Sequence, residues 1–237
     1  PKTENVYRIE LEEEQRKLYL AAVVDAREKL RAAKPEDKMA VFAVLMRLRE
    51  ICCDPRLVAD NWTGSSAKLE ACLELVTEAV AGGHRILLFS QFTSMLELLA
   101  KRLDEAGVSH FTLQGSTPKP VRAEQVRRFN QGEADVFLIS LRAGGTGLNL
   151  TAADIVIHYD PWWNLAAQNQ ATDRAYRIGQ RNPVQVYRLI AQDTIEEKIV
   201  ELQQAKQSLA DTVTGGADGA ILSMNPEQLL QLLGEEA

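Results

Sequence analysis

The chain has 237 residues, of which 46% are hydrophobic and 25% are charged. This composition is typical of one large globular domain with appendages, or of two small domains. No stretch approaches the roughly 18 uncharged apolar residues of a membrane-spanning helix, and the N-terminus lacks the features of a secretory signal. Because the first residue is Pro1 rather than Met, we expect a fragment of a longer protein.

The cysteine spacing and the net charge further limit the classes of protein to which the chain could belong. Cys52, Cys53 and Cys72 have neither a disulfide-like nor a zinc-like spacing, which indicates small buried residues in a reducing cytoplasm. The net charge of −6 argues against a general polyanion binder. However, residues 113–190 carry nine Lys and Arg against six Asp and Glu, so we expect a local basic face suited to phosphate contacts.

Hydrophobic periodicity predicts an α/β fold preceded by helices. Helices are predicted over 11–33, 36–52 and 67–81, the last with Ser66 as its N-cap. From Gly82 onward short apolar strands alternate with helices: the strands are 85–90, 109–113, 135–140, 154–158 and 184–190, and the helices are 93–106, 120–130, 160 to about 176, and 194–209. Uniformly apolar strands predict a parallel sheet with helices on both faces, which binds ligands at the carboxyl ends of its strands.

The first candidate site lies in the stretch from Gln170 to Gln180. On a helix Gln170, Arg174 and Arg177 would share one face, with Asp173 placed to orient Arg177. Permanently charged, bidentate guanidinium groups suit phosphoryl oxygens. The alternative is a solvated helix face stabilised by an Asp173–Arg177 pair, and spacing alone leaves both open.

Three further stretches have both a functional and a structural interpretation. The Gly-rich turn 142–147 exposes backbone N–H groups suited to an anion, but it is neither a dinucleotide fingerprint nor a P-loop, and a bare turn is the alternative. Trp162 and Trp163 indicate a core or an interface, or a nucleic-acid contact. Arg122, Arg127 and Arg128 indicate a phosphate-binding patch or a solvated face.

The histidines and the C-terminal tail carry less information. His84, His110 and His158 are isolated in sequence, and we assign them no catalytic role. Residues 211–237 are acidic and Leu-rich, and they predict either a mobile linker with a docking helix or a helix that packs on the domain itself.

Six stretches, taken in order, form a specific set. They are Leu48-Arg49-x-Ile51-Cys52-x-x-Pro55, Ile86–Phe92, Leu113–Thr117 with Arg122 and Phe129-Asn130, Ser140–Leu150, Asp160–Asn164, and Gln170-x-x-Asp-Arg-x-x-Arg-Ile-Gly-Gln180. Together they resemble the C-terminal lobe of SWI/SNF-type DNA-dependent ATPases of helicase superfamily two, in a bacterial-type variant. Gln114 and Leu165 depart from the family pattern, which has Asp and Pro there.

The resemblance implies a RecA-like lobe that completes an ATPase site shared with a first lobe. That first lobe would hold the P-loop and Mg²⁺, with ATP between the lobes, so we expect the isolated chain to be inactive. Arg174 and Arg177 would act as arginine fingers, and the residues close to ATP would be Gln170, Gly145, Gly147 and Asp173.

The resemblance also implies translocation along double-stranded DNA, gripped by its backbone without sequence readout. The expected contacts are Gln91, Ser116, Thr117, Arg122, Arg142, Thr146 and Trp163. Residues 1–66 would lead in from the first lobe, 67–210 would form the RecA-like lobe, and 211–237 the tail. We expect a cytoplasmic, nucleoid-associated bacterial protein, with a nucleoprotein or polymerase as a further partner. The alternatives are a docking lobe whose tail binds a protein, and a stand-alone Rossmann-type domain.

Overall fold

The computed structural model describes residues 1–141, 143, 148–175, 180–210 and 224–234, with backbone only for 206–210. The strands are β1 Lys2–Ile9, β2 Ile86–Ser90, β3 His110–Leu113, β4 Val136–Ser140, β5 Ile155–His158 and β6 Val184–Ala191. The helices are α1 Glu13–Ala32, α2 Lys38–Cys53, α3 Ala67–Ala81, α4 Thr93–Glu105, α5 Lys119–Asn130, α6 Leu165–Thr172, α7 Ile195–Ala210 and α8 Pro226–Leu232. None of these helices is both long and apolar enough to cross a membrane.

The chain divides into two compact units. The first, which we call the sheet unit, comprises Pro1–Ile9, Lys68–Trp162 and Ala166–Ile190. The second, the helical unit, comprises Glu10–Ala67, Trp163–Leu165 and Ala191–Ala237. Each unit is therefore assembled from segments that are distant in sequence.

The strands of the described residues form one six-stranded sheet in the order β1-β6-β5-β2-β4-β3. The pairings of β2 with β4 and β5, of β3 with β4, and of β5 with β6 are parallel. Every residue of β2, β4 and β5 is buried, so both faces of the central sheet are covered. The α/β class predicted from the alternation of strands and helices is confirmed.

The first strand is the main addition to the predicted elements. Residues Lys2–Ile9 form β1 beside β6 at one end of the sheet, where the prediction had no element before the first helix. Most of its residues are exposed, Val6 and Tyr7 among them, so it lacks the apolar pattern that identifies a strand in sequence. Its Tyr7 ring lies 5.3 Å from that of Tyr187 on β6.

The core of the helical unit lies among α1, α2, α7 and α8. Buried apolar side chains of α1 and α2, such as Leu30 and Leu48, join Ile199 of α7 and Leu229 of α8 in one cluster. The guanidinium of Arg27 donates to the carbonyl of Leu233 at 2.8 Å. In the tail, α8 thus packs against α1 and α2, which corresponds to the second of the two predicted alternatives.

Helix α6 is shorter than predicted. It ends at Thr172, whereas the apolar pattern predicted a helix through about Tyr176. The N–H groups of Arg174 and Ala175 bond to carbonyls three residues earlier, at 3.2 Å each, instead of four. This tighter turn ends the α-helix.

Candidate functional site

Residues predicted to bind ligands follow the carboxyl ends of neighbouring strands. Ser90 lies opposite Ser140, and Leu113 lies opposite Ile139, in parallel register. The N–H of Leu141 also donates to the carbonyl of Ser90 at 3.2 Å. Gln91, residues 114–117 and Leu141 therefore emerge at one edge of the sheet, as the sequence predicted.

A buried carboxylate that follows β5 is bonded to the end of β2. Ser90 Oγ donates to Asp160 Oδ1 at 2.6 Å, and the N–H of Gln91 donates to Asp160 Oδ2 at 3.2 Å. The N–H of Phe92 donates in turn to Ser90 Oγ at 3.1 Å. Asp160 is fully buried, so it fixes the main chain of the predicted DNA contact Gln91. The sequence analysis included Asp160 in a family stretch but gave it no role of its own, although an Asp two residues after a buried strand was a usable signal.

A buried lysine lies near the same strand end. Lys68 is fully buried, and its ammonium lies 5.3 Å from the centroid of the Tyr159 ring. A lysine is rarely buried so completely unless it is paired, and an aromatic face is one favourable neighbour. Sequence reasoning missed Lys68, since a single lysine early in an amphipathic helix gives no signal.

His158 connects β5 to α6 in its neutral form. Its Nε2 lies 2.9 Å from Thr172 Oγ1, and the Thr172 hydroxyl donates to the carbonyl of Gln168 at 3.3 Å. Burial, together with the positive charge of Arg188, lowers the pKa of His158 to about 3. His158 thus has a structural role at the base of α6.

The structure describes Arg174, one of the two predicted arginine fingers. Arg174 lies in the turn after α6 and is 2% exposed, whereas Gln170 and Asp173 are exposed. The predicted helical face shared by Gln170 and Arg174 is therefore wrong, because the helix ends before Arg174. Arg177 lies outside the described residues, as do Arg142, Gly145, Thr146 and Gly147 of the Gly-rich turn.

The main chain of Arg174 is bonded to the segment that follows the Gly-rich turn. The N–H of Leu150 donates to the carbonyl of Arg174 at 3.1 Å. Gln180 Nε2 lies 3.1 Å from the carbonyl of Ala175, 2.8 Å from that of Thr151 and 2.6 Å from that of Ala153. Residues 150–153, which follow the Gly-rich turn, are thus adjacent in space to Arg174 and Ala175.

The loop with Ser116 and Thr117 is held by Arg122. The Arg122 guanidinium donates to the carbonyls of Thr117 at 2.8 Å, Gly115 at 2.9 Å and Gln114 at 3.3 Å. Thr117 Oγ1 accepts from the N–H of Gln114 at 3.0 Å, and Ser116 is exposed. Arg122, predicted as a DNA contact, is in this structure bonded to the loop that bears two other predicted contacts.

The adjacent tryptophans occupy different units. Trp162 is buried in the core of the sheet unit, with its ring edge-on to Phe89 at 6.1 Å. Trp163 packs against the core of the helical unit, and the guanidinium of Arg49 lies 4.0 Å above its ring. One face of the predicted DNA contact Trp163 is therefore covered by an arginine that sequence reasoning had noted only as part of a motif.

Two of the histidines pair with acidic side chains. His84 Nδ1 and His110 Nε2 each lie 2.7 Å from a carboxylate oxygen, of Asp154 and Asp104 respectively. These pairs join residues that the sequence left isolated. Within the described part of the chain, no group of three His, Cys, Asp or Glu side chains could hold a metal ion. These residues do not fit a Mg²⁺ site.

Comparison with known proteins points to one family. Residues 67–179 match the helicase conserved C-terminal domain. A putative ATP-dependent helicase/translocase of Bacillus subtilis, YwqA, is 39% identical over 231 residues, which cover 94% of this chain and 25% of that protein. The chain spans about a quarter of the length of the curated relatives it matches.

Two solved structures from Sulfolobus solfataricus have the same fold. The C-terminal domain of its SWI2/SNF2 ATPase matches 100% of both chains with a TM-score of 0.81 and 27% identity. The ATPase core of the same type, in complex with double-stranded DNA, matches 100% of this chain and 51% of that chain with a TM-score of 0.83 and 31% identity.

Proposed function

Because this chain belongs to the C-terminal helicase lobes of SWI2/SNF2-type ATPases, we propose that it is one half of an ATP-driven motor on double-stranded DNA. A first lobe would supply the P-loop and the groups that hold Mg²⁺. The relatives of this chain are about four times as long, which is long enough to contain such a lobe. The motor would translocate along the duplex and displace or remodel bound nucleoprotein. The observation that carries this proposal is the likeness over the whole chain to an ATPase core bound to DNA.

The part assigned to this lobe in hydrolysis is electrostatic. Arg174 and Arg177 would stabilise the negative charge that develops on the transferred phosphoryl group, with Gln170, Asp173, Gly145 and Gly147 near the nucleotide. Because Arg174 is 2% exposed, its guanidinium also belongs to the interior of the sheet unit. We therefore expect Arg177 to make the larger direct contribution, and Arg174 to combine charge with packing.

The part assigned to this lobe in DNA binding is contact with the phosphate backbone. Gln91, Ser116 and Thr117 emerge at the carboxyl edge of the sheet, on main chain fixed by Asp160 and Arg122. Arg142, Thr146 and Trp163 complete the proposed set. Side chains that contact phosphates position a protein on DNA without reading its sequence.

The test uses the full-length protein and compares two arginine substitutions. Arg177→Ala should lower DNA-stimulated ATP hydrolysis by roughly 10³-fold or more, with the Kd for duplex DNA largely unchanged. Arg174→Ala should lower hydrolysis too, and should also lower Tm because a buried side chain is lost. Arg181→Ala, an exposed arginine just beyond this segment, is the matched control and should leave both properties unchanged.

Two results would contradict the proposal. Loss of DNA binding with hydrolysis retained in the Arg177 variant would reverse the assignment of the two surfaces. Robust DNA-stimulated hydrolysis by residues 1–237 alone would show that the site is not shared with another lobe.

A further inference from the structure

The carboxamide of Gln180 makes an unusual set of hydrogen bonds. Its Nε2 lies between the carbonyls of Thr151, Ala153 and Ala175, at 2.8, 2.6 and 3.1 Å. Its Oε1 accepts from the N–H of Asn182 at 3.0 Å. Three carbonyl oxygens around one nitrogen require a donor there, so the orientation of the amide is fixed by its surroundings.

These bonds act on the main chain beside Arg174. The carbonyl of Arg174 accepts from Leu150 N–H, and the next carbonyl, of Ala175, accepts from Gln180. The first bond reaches Leu150 directly, and the second connects to Thr151 and Ala153 through the amide of Gln180. The bond from Gln180 to Ala175 also joins the two described residues that lie on either side of Arg177 in sequence.

We propose that Gln180 is a positioning residue for hydrolysis: its amide fastens the main chain beside Arg174 to residues 151 and 153. This inference rests on the proposed function, because it assigns the arginines to the ATPase site. Catalytic groups must be held within a fraction of an ångström, and a displacement of about 1 Å can lower a rate by roughly 10²-fold.

The same residues also connect to α5. Asn130, the last residue of α5, donates from Nδ2 to the carbonyl of Asn149 at 2.8 Å and accepts from the N–H of Ala152 at 3.3 Å. Residues 149–153 are therefore bonded on one side to Asn130 and on the other to Gln180. A change in the position of this segment would be passed directly to the main chain of Arg174.

The experiment replaces the donor while it preserves the volume of the side chain. In the full-length protein, Gln180→Met removes all donors, and Gln180→Glu keeps the acceptor for Asn182 but places a carboxylate against three carbonyls. We expect both variants to lower kcat for DNA-stimulated hydrolysis by about 10- to 100-fold. KM for ATP, Kd for duplex DNA and the stoichiometry of DNA binding should stay within about twofold.

The matched control is Gln185→Glu on β6. The Gln185 oxygen accepts from the Tyr187 hydroxyl at 2.6 Å, and a carboxylate can accept the same bond, so kcat should not change. A merely structural role for Gln180 would lower the fraction of protein that binds DNA, and kcat per binding-competent molecule would stay constant. Unchanged kcat, or loss of folding in both variants, would overturn the proposal.

Arg174→Ala and Arg177→Ala, measured in parallel, separate the two proposals. If neither arginine substitution affects hydrolysis, the proposed function fails. If the arginine variants lose hydrolysis and the Gln180 variants retain it, only the positioning role fails.

Discussion

Several buried or part-buried polar side chains of the sheet unit bond to main chain or to one another and so fix where loops begin. Asp160 holds the strand end at Ser90, His158 holds Thr172 at the end of α6, and Gln180 holds Ala175. A buried donor or acceptor that loses its partner costs about 1–3 kcal/mol. We therefore expect conservative substitutions at these positions to change the geometry of the site, because these side chains hold the main chain of its loops.

The neutral state of His158 predicts a pH dependence of stability. The unfolded chain binds a proton at His158 near pH 6.5, but the folded chain does not until about pH 3. Protons therefore favour the unfolded state below about pH 6.5. Stability should fall as the pH is lowered, by about 2 kcal/mol between pH 6.5 and pH 5 from this group alone.

The measurement is urea unfolding of the chain and of His158→Gln at several pH values. The variant should be less stable at neutral pH, but its stability should decline less steeply toward pH 5. His84 and His110 are present in both proteins, so the difference between the two slopes isolates His158. Equal slopes would show that His158 is protonated as readily in the folded chain as in the unfolded chain.

For single residues, the sequence predicted which side chains follow the strands better than it predicted which hydrogen bonds those side chains make. It placed Gln91, Ser116 and Thr117 after strands of one parallel sheet, and the strand register puts them at one edge. The bonds of Arg122 to three carbonyls and of Gln180 to three others depend on turn geometry. Such geometry has no periodic signature in sequence, so these roles could not be predicted.

At the scale of elements, α5 is bonded to the loop that precedes it. The Arg122 fork reaches back from α5 to three carbonyls of residues 114–117. A planar guanidinium with several donors can hold such a set, whereas the compact ammonium of lysine cannot. Charge and geometry at this position can therefore be separated by experiment.

We predict that Arg122→Lys weakens duplex DNA binding roughly tenfold in the full-length protein, nearly as much as Arg122→Gln. The reason is that the loop with Ser116 and Thr117 loses its support even though the positive charge remains. Fluorescence anisotropy at fixed salt concentration measures this, with exposed Arg127→Lys as the control. Full affinity in Arg122→Lys would instead indicate that charge alone matters.

The predicted elements agree with the structure where a local pattern decides them. Helix α3 was predicted within its observed bounds, and the buried strands β2, β4 and β5 within one residue. Strand β1 was missed because its exposed residues show no alternation, and its pairing with β6 depends on residues far away in sequence. The end of α6 was misplaced because the tighter turn there is bonded to Leu150, a tertiary contact.

For the whole molecule, the chain passes between the two units several times. Helices α1 and α2 near the N-terminus share their core with α7 and α8 near the C-terminus. The three contiguous segments suggested by the sequence remain a prediction about chain organisation. The helical unit contains Glu10–Ala67 and Ala191–Ala237, whereas Pro1–Ile9 belongs to the sheet unit.

This arrangement predicts that a chain truncated after Ile190 loses the packing of α1 and α2. Removal of the fully buried side chains Ile199 and Leu229 would cost roughly 4–10 kcal/mol, which is comparable with the roughly 5–15 kcal/mol by which most domains are stable. Hydrogen exchange should show unprotected amides in both helices, while β2 and β4 stay protected. Truncation after Ala210 is the intermediate control, and unchanged protection of α1 in either truncation would contradict the prediction.

Strand β1 has a consequence for solubility. It lies beside β6, at the end of the sheet opposite β3, so it covers the hydrogen-bonding groups along one side of β6. An uncovered strand of that length, with apolar residues such as Val186 and Leu189, is a template on which another chain can add a strand. We therefore expect the exposed, charge-bearing residues 2–9 to limit self-association, and a chain begun at Glu10 to present an aggregation-prone edge.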